Sequence, residues 1–305
     1  MKKDRVIFEN VAEERGIDPS IVEKDYYQVQ LVKLLTAIEL TLPNHIFDLV
    51  LGGGTGLAKC FKVIPRFSED LDYRIIGATN LGRQTRLQLK EQIEAHVSGA
   101  NNIYSINNVE ILNRNQTFKW EIDYPTYFEI QNNIRPHLQL EVTLLELKAD
   151  AVNQPMTSFV NETTGDESEI TQLKCVSPIE TASDKLAALS WRVNQRSQSP
   201  EKYDPTTIRH LFDLYFLSDS YLVKDEDAFI RMSRENVEHD LKNRLKTEGN
   251  VSDELNKILN ILQADTTFEK DYLSLIKNTF HGNHNDIPNY NDLITKLEIW
   301  FNKIM

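Results

Sequence analysis

Apolar residues recur at helical spacing through IVEKDYYQVQLVKLLTAIEL, from Ile21 to Leu40. Val22, Tyr26, Val29 and Val32 mark one face, and Leu35 and Ile38 continue it with some drift, which predicts a helix. IFDLVL (Ile46 to Leu51) reads instead as a short buried strand, and a glycine-rich turn follows it. GLAKCF then opens a helix. LDYRII (Leu71 to Ile76) alternates and is β-branched, as strands are, and Leu81 to Val97 is helical. Strand-like runs come near Ile103 to Leu112 and Thr117 to Tyr124, then in HLQLEVTLLEL (His137 to Leu147). Asn161 to Glu169 is polar and reads as a loop.

The pattern changes near Cys175. SPIE (Ser177 to Glu180) has the form of a capping box with proline at the first helical position, opening a helix to about Val193. DPTT (Asp204 to Thr207) starts another in the same manner. Helical patterning then continues almost to Met305, with polar interruptions near Gly249 and at HGNHND (His281 to Asp286). The expected architecture is α+β in residues 1–175, with an all-helical portion in 176–305. There is no internal repeat and no low-complexity tract.

Composition narrows the function classes. The chain has 305 residues, 40% of them hydrophobic and 26% charged, as in an ordinary globular protein. No apolar run approaches the ~18 residues that span a bilayer, and MKKDRVIFENVAEERG lacks the form of a secretory signal; a cytoplasmic location is expected. Cys60 and Cys175 are far apart in sequence and are expected to be two buried thiols rather than a disulfide. The formal net charge of −12 argues against a protein that coats nucleic acid through its whole surface, and leaves room for a local basic groove.

The chemistry concentrates in LGGGTGLAKCFKVIPRFSEDLDYRI, Leu51 to Ile75. A P-loop is excluded, because Lys59 comes too late after Gly56. A dinucleotide fingerprint accounts for Gly52 and Gly54, but Leu57 stands at its third glycine, and it employs only one of Asp70 and Asp72. A strand starting at Asp70 uses both. Side chains at i and i+2 share a face, so Leu71, Tyr73 and Ile75 enter the core while Asp70 and Asp72 project together. Paired carboxylates suit Mg²⁺, and a glycine turn entering a helix offers N–H groups to a phosphate. In HLQLEVTLLEL, Leu138, Leu140, Val142 and Leu144 alternate with Gln139, Glu141 and Thr143, which makes Glu141 the candidate third acid. Each feature has a plain reading too: a glycine pair is commonly a turn, and D-x-D a solvated strand edge. The ordered set is the stronger signal.

That set resembles the nucleotidyltransferase superfamily and, more closely, its AbiEii/AbiGii toxin branch. GGTGL (Gly53 to Leu57), RFSEDLDY (Arg66 to Tyr73), DKLAALSWR (Asp184 to Arg192) and IRHLFDLYFL (Ile208 to Leu217) match the branch in order, and VEKDYY (Val22 to Tyr27) is typical of it. The resemblance runs from Ile21 to Leu217. It implies a nucleotidyltransferase-like mixed sheet with flanking helices. It also implies a metal-dependent enzyme that moves a nucleoside monophosphate from an NTP to an acceptor hydroxyl and releases pyrophosphate. Gly53, Gly54 and Thr55 would hold the phosphates with help from Ser68. Asp70, Asp72 and Glu141 would bind Mg²⁺, two ions in all, and Lys185 would neutralise the triphosphate. Asp213 matches the late acid of the last motif and would act at the site or fix Lys185 or Arg209. The biology implied is the toxin of a bacterial toxin–antitoxin or phage-defence pair, with a separately encoded antitoxin; the resemblance points to tRNA as the acceptor, with another RNA, a protein or a small molecule as the alternatives. Two rivals stand beside it: an antibiotic-type adenylyltransferase acting on a small molecule, and a silent nucleotide-binding protein.

The late motifs also have bland readings. Lysine at 185 is ordinarily a surface residue. Arg192, Arg196, Lys202 and Arg209 form either a phosphate groove or a set of partners for Glu180, Asp184, Glu201 and Asp204. His210 is read as a packing residue, and His281 and His284 as loop residues.

Overall fold

The structure is a computed structural model. It describes residues 3–43, 45–78, 80–100, 103–129, 134–245 and 249–305. The chain divides into two compact units: Met1–Lys62 with Phe67–Ser177, and Val63–Arg66 with Pro178–Met305.

The first unit begins with helix α1 (Arg5–Arg15), which has Asp4 at its N-cap and Gly16 in the left-handed conformation at its end. Helix α2 (Pro19–Thr36) is capped by Asp18 with Pro19 in its first turn. Next come strands β1 (Leu40–Leu42) and β2 (His45–Leu51), the one-turn helix α3 (Gly53–Thr55), and β3 (Asp70–Ile76). Helix α4 (Arg83–Ser98), β4 (Ser105–Leu112), β5 (Thr117–Asp123), β6 (Leu138–Leu144), β7 (Val152–Met156), α5 (Phe159–Thr164) and β8 (Ile170–Cys175) complete the unit. The strands form one mixed sheet in the order β4-β5-β6-β3-β2-β8-β7, with β1 paired to β2. β3 runs parallel to β6 and antiparallel to β2.

One face of this sheet is core. Phe118, Trp120 and Ile122 of β5, Leu138, Leu140 and Val142 of β6, and Leu71, Tyr73 and Ile75 of β3 are buried together with Leu89 and Ile93 of α4 and the apolar side of α2. The Trp120 indole N–H donates to Glu94 on α4 at 2.9 Å, so the largest buried ring keeps its polar atom satisfied.

Three expectations needed correction. The helix anticipated to reach Leu40 ends at Thr36, and Leu40 enters a hairpin opposite Phe47. Cross-strand pairing outcompetes a helical stripe that was already drifting. Residues 161–169 are not simply a loop. Ser158 accepts a hydrogen bond from the Asn161 N–H and caps α5, which Gly165 closes at φ +73°. Strands β7 and β8 were not anticipated. β7 contains Pro155 and a register shift beside it, and β8 buries Ile170, Leu173 and Cys175 without strict alternation.

The second unit is helical: α6 (Pro178–Gln198), α7 (Ile208–Leu217), α8 (Glu226–Asp240), α9 (Val251–Ala264), α10 (Thr267–Thr279) and α11 (Tyr290–Ile304). The stripe read on α6 is its buried side, with Ile179, Leu186, Leu189 and Val193 all in the interior. At DPTT the Asp204 carboxylate caps a 3₁₀ turn (Pro205–Thr207), and the α-helix starts only at Ile208. The segment Val63–Arg66 joins this unit through a bridge between Arg66 and Phe280 and a 3.2 Å hydrogen bond from the His281 N–H to the Pro65 carbonyl. The 3₁₀ turn His284–Asp286 follows, and the His284 side chain lies outside the described residues. Among the described residues no helix is long and apolar enough to cross a membrane.

Candidate active site

Register brings two of the expected acids side by side. Asp72 on β3 pairs with Glu141 on β6, and Asp70 pairs with Gln139. Partners on adjacent strands share a face and lie about 4.8 Å apart. Lys119 on β5 pairs in turn with Glu141. Lys119, Glu141 and Asp72 therefore form one row on the polar face of the sheet, back to back with Trp120, Leu140 and Leu71.

The glycine turn meets this row at its end. The Gly52 N–H donates to the Asp72 carbonyl at 2.7 Å, which ties the turn to β3. Gly53 follows with φ +64°. A Cβ on Gly53 would lie 1.9 Å from Asp72 Oδ2. Position 53 is thus glycine twice over: for its left-handed backbone, and because the Asp72 carboxylate rests on the bare Cα.

Thr55 and Ser68 were expected among the phosphate contacts. The Thr55 side chain is fully buried, and its hydroxyl donates to the Asp70 carbonyl at 2.5 Å. It braces the turn against β3 and is not presented to a ligand. The Ser68 carbonyl accepts from Gln28 Nε2 at 3.0 Å.

Asp70 is buried, and its carboxylate pairs with the Arg135 guanidinium. Among the described residues no group of three or more His, Cys, Asp or Glu side chains is arranged to hold a metal ion. The three acids expected as one cation cluster are consequently not gathered as such: Asp72 and Glu141 stand together, while Asp70 faces an arginine. The chemistry of the set still fits Mg²⁺, because carboxylate oxygens are its preferred protein ligands.

Helix α2 positions the segment that carries Asp70. Lys24, fully buried, bonds Glu69 at 2.8 Å and the Arg135 carbonyl at 2.7 Å. Burial pulls its pKa down, and Glu69 opposes the shift. Gln28 bonds the Ser68 and Glu69 carbonyls. Asp25, also fully buried, pairs with Lys59 at 2.7 Å and accepts from the Phe159 N–H at 2.6 Å. Glu23 accepts from Thr126 and Tyr127. The charged half of VEKDYY is therefore interior, and each residue ties down a different loop.

Lys185 and Asp213 lie in the helical unit. Asp213 receives Arg66 in a two-pronged pair, 2.7 Å at each prong, and Lys185 at 2.7 Å. The expectation for Asp213 named Lys185 or Arg209 as its partner; Lys185 is one, and the guanidinium in the pair comes from Arg66. Lys185, read without the resemblance as a surface residue, is buried. Burial alone would raise the Asp213 pKa, but Arg66 and Lys185 overcome it and hold the carboxyl below the usual range. Burial lowers Lys185, with Asp213 opposing. The carboxyl is thus held low by two cations, and the ammonium by its burial. His210 is buried nearby, with neither ring nitrogen hydrogen-bonded among the described residues; burial and then Lys185 push its pKa well below the ordinary value. Arg192 pairs with Asp204 at 2.7 Å and Arg196 with Asp265 at 2.8 Å, as partners along helix faces. Cys60 and Cys175 are free, buried thiols.

Comparisons with known proteins identify the family. The family model described as "Nucleotidyl transferase AbiEii toxin, Type IV TA system" matches residues 34–296. The chain belongs to that family. It is by membership a nucleotidyltransferase of the AbiEii toxin kind, and the segments holding Gly53, Asp72, Glu141, Lys185 and Asp213 all lie inside the matched region. Among solved structures, MenT4, a nucleotidyltransferase toxin from Mycobacterium tuberculosis H37Rv, is similar in fold. The TM-score is 0.57 at 17% identity, with 99% of each chain covered. No curated protein matches the chain.

Sequence reasoning missed Lys119 and Arg135. The alternation of TFKWEID places Lys119 on the polar face, but only the register puts it beside Glu141. Arg135 sits in a connection with no periodic signal, so nothing in the sequence links it to Asp70.

Proposed function

We propose that this AbiEii-type nucleotidyltransferase uses Mg²⁺ to transfer a nucleoside monophosphate from an NTP to a hydroxyl of tRNA, with release of pyrophosphate, and that a separately encoded antitoxin restrains it. The observation that carries this reading is the in-register pair Asp72–Glu141, with the Asp72 carboxylate against Gly53. Bound there, Mg²⁺ would lower the pKa of an acceptor hydroxyl and offset charge on the triphosphate. Asp72 and Glu141 would hold it, with Asp70 as the third carboxylate.

The remaining roles belong to this chain's own groups. The turn at Gly53 and Gly54 presents backbone N–H groups where no side chain intervenes, which suits phosphate oxygens. Glu141 would orient the acceptor hydroxyl and take its proton. Lys119 beside it tempers the charge of two adjacent acids. Lys185 would have the role that the family resemblance gives it, neutralising the triphosphate. Catalysis of this kind is positioning plus charge neutralisation. With a formal charge of −12 on the protein, RNA binding would rely on a small basic surface and weaken steeply with salt.

The test is transfer of label from each α-³²P NTP to total RNA with Mg²⁺. The wild type should label tRNA with at least one NTP, and Asp72→Ala should lower the rate on the order of 10³-fold with the thermal midpoint kept. Equal labelling by the variant would remove Asp72 from the chemistry. Labelling of a small alcohol or amine in preference to RNA would establish the antibiotic-type alternative.

A further inference from the structure

Arg135 pairs with one of the proposed metal-binding acids, and neither the motifs nor the family description accounts for it. Its backbone is held at both ends. The N–H donates to Glu69 Oε2 at 2.8 Å, and the carbonyl accepts from Lys24 Nζ at 2.7 Å. The same Glu69 oxygen also takes Lys24 at 2.8 Å, so a closed ring of charge-assisted bonds fixes the main chain of residue 135. Lys24 is fully buried, which makes that mount rigid. The side chain is under no such constraint. Its guanidinium pairs with Asp70 Oδ1, and the Arg135 side chain is 36% exposed. The Asp70 side chain is only 9% exposed. A buried carboxylate needs a positive partner, and here that partner is anchored through its main chain and carried on a partly exposed side chain.

Asp70 is also the member of the expected trio whose carboxylate an arginine engages. It lies on the same face as Asp72, two residues away on β3, yet its oxygen is engaged by arginine. A cation and a guanidinium cannot both hold one carboxylate oxygen at full strength. The geometry points to Arg135 as a stand-in for the cation. It neutralises Asp70 in the resting protein and gives it up, by side-chain rotation alone, when metal and nucleotide arrive. The freed guanidinium then faces an incoming polyanion. This inference rests on the reading of Asp70 as a metal ligand, and it makes Arg135 a positioning residue that sets the affinity for the cation.

The test uses Mn²⁺ alone, counted by the electron paramagnetic resonance signal of the free ion, on the full chain without nucleotide or acceptor. Arg135→Gln should bind Mn²⁺ roughly tenfold more tightly than the wild type, since a competing charge near an ion site is worth about that much. Arg135→Lys, which keeps the charge, should stay within about threefold of the wild type. Adding Asp70→Asn to Arg135→Gln should cancel the gain. Equal or weaker Mn²⁺ binding by Arg135→Gln overturns the inference. A second measurement needs no variant: with arginine labelled by ¹⁵N, the Arg135 Nε–H resonance of the wild type should shift when Mg²⁺ and a non-hydrolysable NTP are added together. An unmoved resonance also overturns it. Label transfer by the wild type reports separately on the proposed reaction. A protein that transfers label but binds Mn²⁺ equally with and without Arg135 loses this inference and keeps that reading.

Discussion

Asp70 and Asp213 are both buried aspartates paired with arginine, and the two units hold them differently. In the helical unit Asp213 has no exposed surface and is met by three charge-assisted bonds from Arg66 and Lys185. In the sheet unit Asp70 pairs with the guanidinium of Arg135, a side chain that is about a third exposed. The first arrangement uses up the acid. Its carboxylate is fully satisfied. The second leaves the acid exchangeable. The contrast is between an acid whose partners are all interior and an acid whose partner is carried on a partly exposed side chain.

The largest expected effect tests this contrast on stability. Asp213→Asn leaves two buried cations short of an anion and should cost about 3–5 kcal/mol in urea unfolding. Arg135→Gln loosens a partly exposed pair and should cost under about 1 kcal/mol. A reversed order would break the comparison. Gly53→Ala comes next. A left-handed backbone costs a non-glycine residue about 1–2 kcal/mol, and the added carbon must displace the Asp72 carboxylate. Label transfer should therefore fall far more than stability does, which a parallel measurement of rate and unfolding midpoint would show. Activity that survives this change would separate Asp72 from the turn.

The smallest effect is in the pH dependence. The folded pKa of Asp213 lies below its unfolded value. Its contribution to stability is thus complete above the unfolded carboxylate pKa, near 3.9, and disappears as pH falls through the lower folded value. The stability gap between wild type and Asp213→Asn should hold from pH 7 to about 5 and narrow only below about 4. A gap that widened with acid would reverse the assigned direction.

Much of the sheet unit was legible because its strands alternate. Leu71, Tyr73 and Ile75 had to face the core, so Asp70 and Asp72 had to face away, and the same rule isolated Glu141. The sequence is silent on register, and register is what seats Lys119 beside Glu141 and Glu141 beside Asp72. Lys24 and Asp25 were invisible as buried charges, because α2 is interior on nearly every side and a stripe of apolar residues marks only one. Asp213 was legible as an acid needing a partner, but Arg209 at helical spacing drew attention from Arg66, which reaches it from 147 residues away in sequence. Pairings that span the chain leave no periodic trace. Thr55 illustrates the opposite limit: its place in the motif was correct, and only the structure showed its hydroxyl committed to the Asp70 carbonyl.

The central claim is that Asp72 and Glu141 share a cation beside the glycine turn. Crystals of the full chain grown with Mn²⁺ and a non-hydrolysable NTP, measured at the manganese absorption edge, test it directly. The account predicts an anomalous peak coordinated by both carboxylates, with the nucleotide phosphates against Gly53 and Gly54. A peak bound elsewhere, or phosphates ordered away from that turn with no ion between Asp72 and Glu141, would contradict it.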